Sequence, residues 1–450
     1  MRRFVVLAAT IWLVGCGSRG TQTPESSGLE QSVTQTAAPE VGANLPPADR
    51  ETLQSAATLT AEGKLASAVE LLSNFIGAHP ECADAFRLRA QASALRRNDA
   101  DALADFSMAI KLEPDKVRHY LNRGMFQLSH GNTSPAIDDF NQALKLEPKN
   151  VQAFVDRGMA RVTIGEVKTA ISDFNQAIES DPKCVGAYTN RSFAWIKLDR
   201  RNDALADLDR AIELDPKAAG AYDSRGVLRL EMADNQKALA DFTSAVKLEA
   251  NNPTYLAHRR AALVKLERYV EAQADASRIE RLMRLSALNE AVFRDRLSPK
   301  PYLARGEFLL EEGQIAEAIT NFDHALSLDS KQWEALVGRA RAALVRGDFQ
   351  KAVEDSSTAL AIEPQEDAYA VRGDAYRKLG EYAKAVADYD AAHRIDGDVA
   401  ETWLLYSRAL HRAGSKKEAS EALKRSQELQ ALEAPRTAGR VEQTAKTTAK

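Results

Sequence analysis

Residues 139–148 read DFNQALKLEP, and residues 173–182 read DFNQAIESDP, the same phrase one period of 34 residues later. Ile137, Phe140 and Leu144 are spaced three and four apart, which puts them on one face of a helix running from about Ser134 to Leu146. Pro148 stops that helix because it has no N–H to extend the ladder. Upstream, His130-Gly131-Asn132 reads as a turn in which Gly131 takes a left-handed conformation at little cost. A first helix from about Arg118 to Ser129 precedes it. Neither helix buries an apolar face alone, so neighbouring pairs must stack.

The same pair recurs along the chain. Prolines fall at 80, 114, 148, 182 and 216, and again at 364. Phe86, Tyr120, Phe154, Tyr188 and Tyr222 stand 28 residues before the last four of the first series and the next expected stop. With residue 117 as position 1 of its unit, position 7 is arginine at 89, 123, 157, 191, 225, 259, 305, 339 and 372. Position 23 is aspartate at 105, 139, 173, 207, 241, 275, 355 and 388, with Asn321 as the exception.

These units resemble tetratricopeptide repeats. That family asks for a large residue at position 4, a small one at 8, Gly at 15, Ala at 20, an aromatic at 24, Ala at 27 and Pro at 32. One unit supplies Tyr120, Gly124, Gly131, Ala136, Phe140, Ala143 and Pro148; another supplies Tyr369, Gly373, Gly380, Ala385, Tyr389 and Ala392, with Gly397 in place of proline. The resemblance implies an all-α, right-handed helical solenoid of antiparallel helix pairs. Eleven units fit between Asp49 and about Glu433.

Terminal units are expected to be atypical because one side faces water. Thr52 stands at the first unit's large position, and Tyr406 replaces the last unit's arginine. A larger departure lies between Glu249 and Asp329, where the chain advances two periods plus 12 residues. No proline stops the helix near 284, and Leu282, Leu285, Leu288 and Val292 prolong an apolar stripe. The expected organisation is seven repeats over 49–286, an insertion at 287–298 that lengthens a second helix to about 294, and four repeats over 299–434. A basic, polar tail at 435–450 reads as disordered.

The N-terminus carries different information. Arg2 and Arg3 precede an apolar run, Phe4 to Val14, too short to span a bilayer but suited to a secretory signal. Leu13-Val14-Gly15-Cys16 resembles the lipobox of bacterial lipoproteins. That resemblance implies a signal peptide at 1–15, lipidation of Cys16 and, with Gly17 rather than aspartate next, an outer membrane facing the periplasm in a Gram-negative cell. Residues 16–48 lack apolar periodicity and read as a disordered tether holding the folded part on the order of 30 Å from the lipid.

Composition narrows the function. Lysine and arginine number 60 against 64 acidic residues, a net charge of -4, so no basic field favours nucleic acid. Cys82 and Cys184 fall three units apart, too far for a disulfide. The seven histidines are scattered, and no His-Glu-x-x-His, Cys-x-x-Cys, phosphate-binding glycine loop or nucleophile elbow occurs, so neither a metal, a cofactor nor an enzyme is expected.

Two residue sets remain. Arginine and aspartate on facing helices can make a planar two-bond contact, so Arg123 with Asp139, Arg157 with Asp173 and Arg191 with Asp207 read as rungs of a ladder. Catalysis needs a few displaced groups in one pocket, not one copy per repeat. On this reading Asn141, Gln142 and Lys145 face away from the packing. The family's concave groove is lined by positions 2, 5, 6, 9, 12 and 13 of the first helices. Leu121, Met125, Val155, Met159, Phe193 and Val227 there form an apolar strip for an extended peptide or amphipathic helix, or else pack as core, which spacing alone does not separate. Arg341, Asp374, Arg377, Lys378, Arg408 and Arg412 suit a second polar partner or a solvated face. The expected function is a lipid-anchored scaffold binding protein partners at a membrane, as in the repeat lipoproteins of bacterial envelopes that it resembles. Self-association as a structural envelope protein is the alternative.

Overall fold

The computed structural model describes residues 45–448, with side chains as far as residue 432. The signal peptide, Cys16 and most of the tether lie outside the described residues. Among those described, 22 helices and no strand form eleven successive pairs. The first seven pairs are α1 (Pro47–Ala61) and α2 (Leu65–Ala78), α3 (Ala83–Leu95) and α4 (Asp99–Leu112), α5 (Val117–Ser129) and α6 (Thr133–Leu146), and α7 (Val151–Thr163) and α8 (Val167–Ser180). They continue with α9 (Val185–Lys197) and α10 (Arg201–Leu214), α11 (Ala219–Glu231) and α12 (Asn235–Leu248), and α13 (Pro253–Lys265) and α14 (Tyr269–Arg294). Next come α15 (Pro299–Glu311) with α16 (Ile315–Leu328) and α17 (Trp333–Arg346) with α18 (Phe349–Ile362). The last pairs are α19 (Glu366–Leu379) with α20 (Tyr382–Ala391) and α21 (Gly397–Arg412) with α22 (Lys416–Thr448). The chain is an all-α solenoid of helix pairs.

In five pairs an aromatic ring of the second helix, Phe140, Phe174, Phe242, Phe322 or Tyr389, is pressed onto a glycine of the first. Phe140 and Phe174 are fully buried, and burying each ring contributes about 2–3 kcal/mol. The approach is close because position 8 is glycine: a Cβ on Gly158 would stand 2.5 Å from the Phe174 ring. The turn between the helices needs one left-handed residue at position 15. Gly131 provides it at φ 76°, but Arg97, Asp199, Ala233 and Glu267 are forced into the same region in other units.

Two compact units divide at Ile279 and Glu280, inside α14, rather than at the expected 286. In the first, Ala272 of α14 joins a core with Phe242 and Leu263. In the second, Leu285, Leu288 and Val292 of the same helix pack against the cluster of Tyr302, Phe308 and Phe322. The helix has no stop at 284, so its extension provides the surface on which α15 and α16 stack.

Three expectations need correction at the C-terminal end and on α6. The tail beginning at Pro435 is not disordered, since α22 runs on to Thr448. Once a packed helix exists, each further residue adds a hydrogen bond without a new nucleus, and Pro435 removes only one. The last unit starts earlier than its register: α20 ends at Ala391, His393 turns left-handed at φ 50°, and Asp396 caps α21 by accepting from the Val399 N–H. Asn141 does not face away from the packing, because its Oδ1 accepts from Arg157 Nη1 at 2.8 Å.

Candidate functional site

The pairs meet along two seams. On one, second helices meet through the position 7 arginines. Arg157 Nε and Nη2 donate to the two carboxylate oxygens of Asp173 on its own unit's second helix, at 3.1 and 2.6 Å. Its Nη1 reaches back to Asn141 on the preceding second helix. Arg123 does the same with Asp139 and Ser107, and Arg191 with Asp207 and Asn175. The pattern continues in Arg89, Arg225, Arg339 and Arg372. Each arginine therefore ties its first helix to two second helices. The hydrogen bond to the carboxylate raises the pKa of Arg89, Arg259 and Arg372 above the ordinary arginine value, so these cations stay charged. A shallow cleft of about 600 Å³ between α6 and α7 is lined by Asp138, Asn141, Gln142, Leu144, Lys145 and Arg157; its arginine is already committed to the ladder.

Arg305 is different. Its Nε donates to Asn321 Oδ1 at 2.7 Å and its Nη1 to Asn289 Oδ1 at 3.1 Å, two neutral amides. Asn289 lies on the extension of α14, 16 residues before Arg305, as Asn141 lies 16 before Arg157. The lengthened helix thus keeps the 16-residue offset seen at Arg89, Arg123, Arg157, Arg191, Arg225 and Arg339, while Arg372 reaches Ser357 at an offset of 15.

First helices meet along the other seam, through positions 2, 5, 6, 9 and 12. Arg118 on α5 pairs with Asp84 on α3 at 3.2 Å, and His258 on α13 with Asp223 on α11 at 2.8 Å. In the second unit Arg341 pairs with Asp367, and Arg377 with Asp398 and Glu401. Asp374 accepts from the Tyr389 hydroxyl and from Arg394. Three of the charged residues expected to greet a polar partner are therefore occupied within the fold. The pairs change in kind from one junction to the next, unlike the rungs of the ladder.

The expected apolar strip is only partly a strip. Leu121, Met125, Val155 and Met159 are at most 9 % exposed and belong to one core cluster with Phe140 and Phe174. They are corrected from groove to core: positions 5 and 9 both carry large side chains in units three and four, so adjacent first helices close over them. Phe193 and Val227 are half-buried and remain accessible. Beside them position 5 shrinks to Thr189 and polar Asp223, and position 2 to Gly186 and Gly220, which removes the cover. The accessible line continues through half-buried Ile196 and Leu230 to Val264, 44 % exposed. Position 12 was the missed signal. It reads Leu128, Val162, Ile196, Leu230 and Val264, apolar in five consecutive units and three residues after position 9.

Family models described as tetratricopeptide repeat match residues 56–117 and 121–184, 309–374, and 366–399. The chain is a tetratricopeptide-repeat protein. The solved structure of MamA is 20% identical over 36% of this chain and 94% of that one, with a TM-score of 0.32. YrrB, described as a TPR protein with an unusual peptide-binding site, is 21% identical over 42% of this chain and 97% of its own, with a TM-score of 0.32. PilW, described as a widely conserved type IV pilus biogenesis factor, is 17% identical over 44% and 92%, with a TM-score of 0.40. At this similarity their functions do not transfer. A comparison with curated proteins finds no match.

Among the described residues of this tetratricopeptide-repeat protein, no group of three or more histidine, cysteine or acidic side chains could hold a metal ion, and no helix is long and apolar enough to cross a membrane. Cys82 and Cys184 are both buried and form no disulfide.

Proposed function

We propose that this protein is a scaffold that holds protein partners at a membrane, anchored through a lipid on Cys16 and exported to the cell envelope, where it assists assembly of an envelope complex. The lipobox-like Leu13-Val14-Gly15-Cys16 supports the anchor. The partner is an extended peptide or an amphipathic helix, seated on the first helices of units five to seven.

One observation carries the docking site. Phe193 and Val227 at position 9 of α9 and α11 keep accessible surface where Met125 and Met159 at the same position of units three and four are buried, and beside them Ile196 and Leu230 at position 12 are half-buried and Val264 of α13 is exposed. Side chains three apart on a helix share a face, so successive pairs make a line that a complementary apolar edge can follow. The test is crosslinking with mass spectrometry in intact membranes, comparing wild type with Phe193→Glu combined with Val264→Glu. Val264 is a surface position, where a substitution changes stability by about 0.5 kcal/mol or less, and Phe193 is half-buried, so the melting temperature of the variant is measured alongside. Crosslinked partners should be lost while the melting temperature holds. Unchanged crosslinks would reject the site. Labelling with lipid precursors tests the anchor separately: wild type should be labelled and Cys16→Ser should not.

A further inference from the structure

Asp156 stands at position 6 of α7, on the seam where α7 meets the first helices α5 and α9. It is 2 % exposed. Its Oδ1 accepts from Gln152 Nε2 at 2.7 Å, and its Oδ2 has no partner. A buried carboxylate without a cation is expensive, so such a group keeps its proton. Burial, opposed only by the Gln152 hydrogen bond, pushes the Asp156 carboxyl up to about 7.

No neighbouring element supplies a counter-ion. On α7 itself Arg157 and Arg161 both turn to Asp173 of α8. On α5, Arg118 is engaged by Asp84 and Glu113, His119 by Glu113, and Arg123 by Asp139 of α6. On α9, Arg191 is bound to Asp207 and Asn175, and Lys197 lies over the Phe193 ring. At the same position on the flanking helices stand two buried amides, Asn122 and Asn190. Either can share a hydrogen bond with a neutral carboxyl, but neither can neutralise a charged one.

We propose that Asp156 makes the joint of units three, four and five sensitive to pH: as a neutral carboxyl it packs within the seam of α5, α7 and α9, and as a carboxylate it loosens that seam. This holds whatever partner the protein binds. A carboxyl whose folded pKa is raised gives stability that is complete below the unfolded value near 4 and is lost as pH rises to the folded value, with no further loss above it. Within that window the equilibrium for opening the joint should shift about tenfold per pH unit.

The experiment is hydrogen exchange on the whole protein from pH 5 to 8, corrected for the intrinsic pH dependence of exchange. Protection of α5, α7 and α9 should fall about tenfold per unit up to pH 7 and then level off, while α15 to α18 hold theirs. Asp156→Asn, which keeps shape but cannot ionise, should remove the slope. An unchanged slope in that variant, or an equal loss in every helix, overturns the proposal. If the variant does not fold, the carbon-13 shift of the wild-type carboxyl decides: a midpoint near 7 supports the joint and a midpoint near 4 overturns it.

Discussion

The two seams of this array are built from the same kinds of side chain and differ in one respect. Along the second helices, arginine at position 7 meets an acid or amide at position 23 in every unit from the second to the tenth. Along the first helices the polar contacts change at each junction: Asp84 with Arg118, Asp156 without a charged partner, Asp223 with His258, Arg341 with Asp367. A contact repeated without change is what register requires of identical units. A contact that varies has been released from that requirement, and recognition is sought there.

Breaking a rung is expected to have the largest effect. Arg157→Ala leaves Asp173, 3 % exposed, without the arginine that spans its two oxygens; Arg161 alone remains. Removing one partner of a buried pair costs about 3–5 kcal/mol, read as a lower denaturant midpoint. Arg305→Ala removes an arginine that meets only amides, so its loss should be clearly smaller in the same measurement. Equal losses would show that the ladder acts by packing and not by charge.

Packing sets the next effect. Gly158→Ala would place its Cβ 2.5 Å from the Phe174 ring, and overpacking of this kind costs about 1–3 kcal/mol. Thermal unfolding should show the loss, and Phe174→Leu in the same chain should recover part of it. The smallest effect has the opposite sign. Ala233 is held at φ 62° in a turn where other units have glycine, and a left-handed conformation costs a residue with a Cβ about 1–2 kcal/mol. Ala233→Gly should therefore raise the melting temperature by a few degrees without touching either seam.

Much of the fold is readable in the residues because each feature has a fixed offset. Phe140 falls 16 residues after Gly124, and Asp139 falls 16 after Arg123, so ring-to-glycine packing and the rung share one spacing. Asn141 was harder to read. Its partner Arg157 lies in the next unit, and serine, asparagine or aspartate serves at that position in other units. The candidate site was harder still. Met125 and Phe193 occupy the same position of the same helix, yet one is buried in the core and the other is half-open. The residue type at position 9 does not separate them, because the cover is set by positions 2 and 5 of that helix and of the neighbouring first helices.

The sequence by itself therefore determined the all-helical repeat, its register, the arginine ladder and the lengthening of α14, all consequences of chain-local periodicity and of pairs at constant separation. The tertiary structure decided which position 9 residues meet solvent, that Asp156 has no counter-ion, and that the final helix outruns its repeat. Those properties depend on how closely consecutive first helices approach and on which groups the other helices have already engaged. That distance is set in part by side chains a full unit away, so no stretch of one unit contains it.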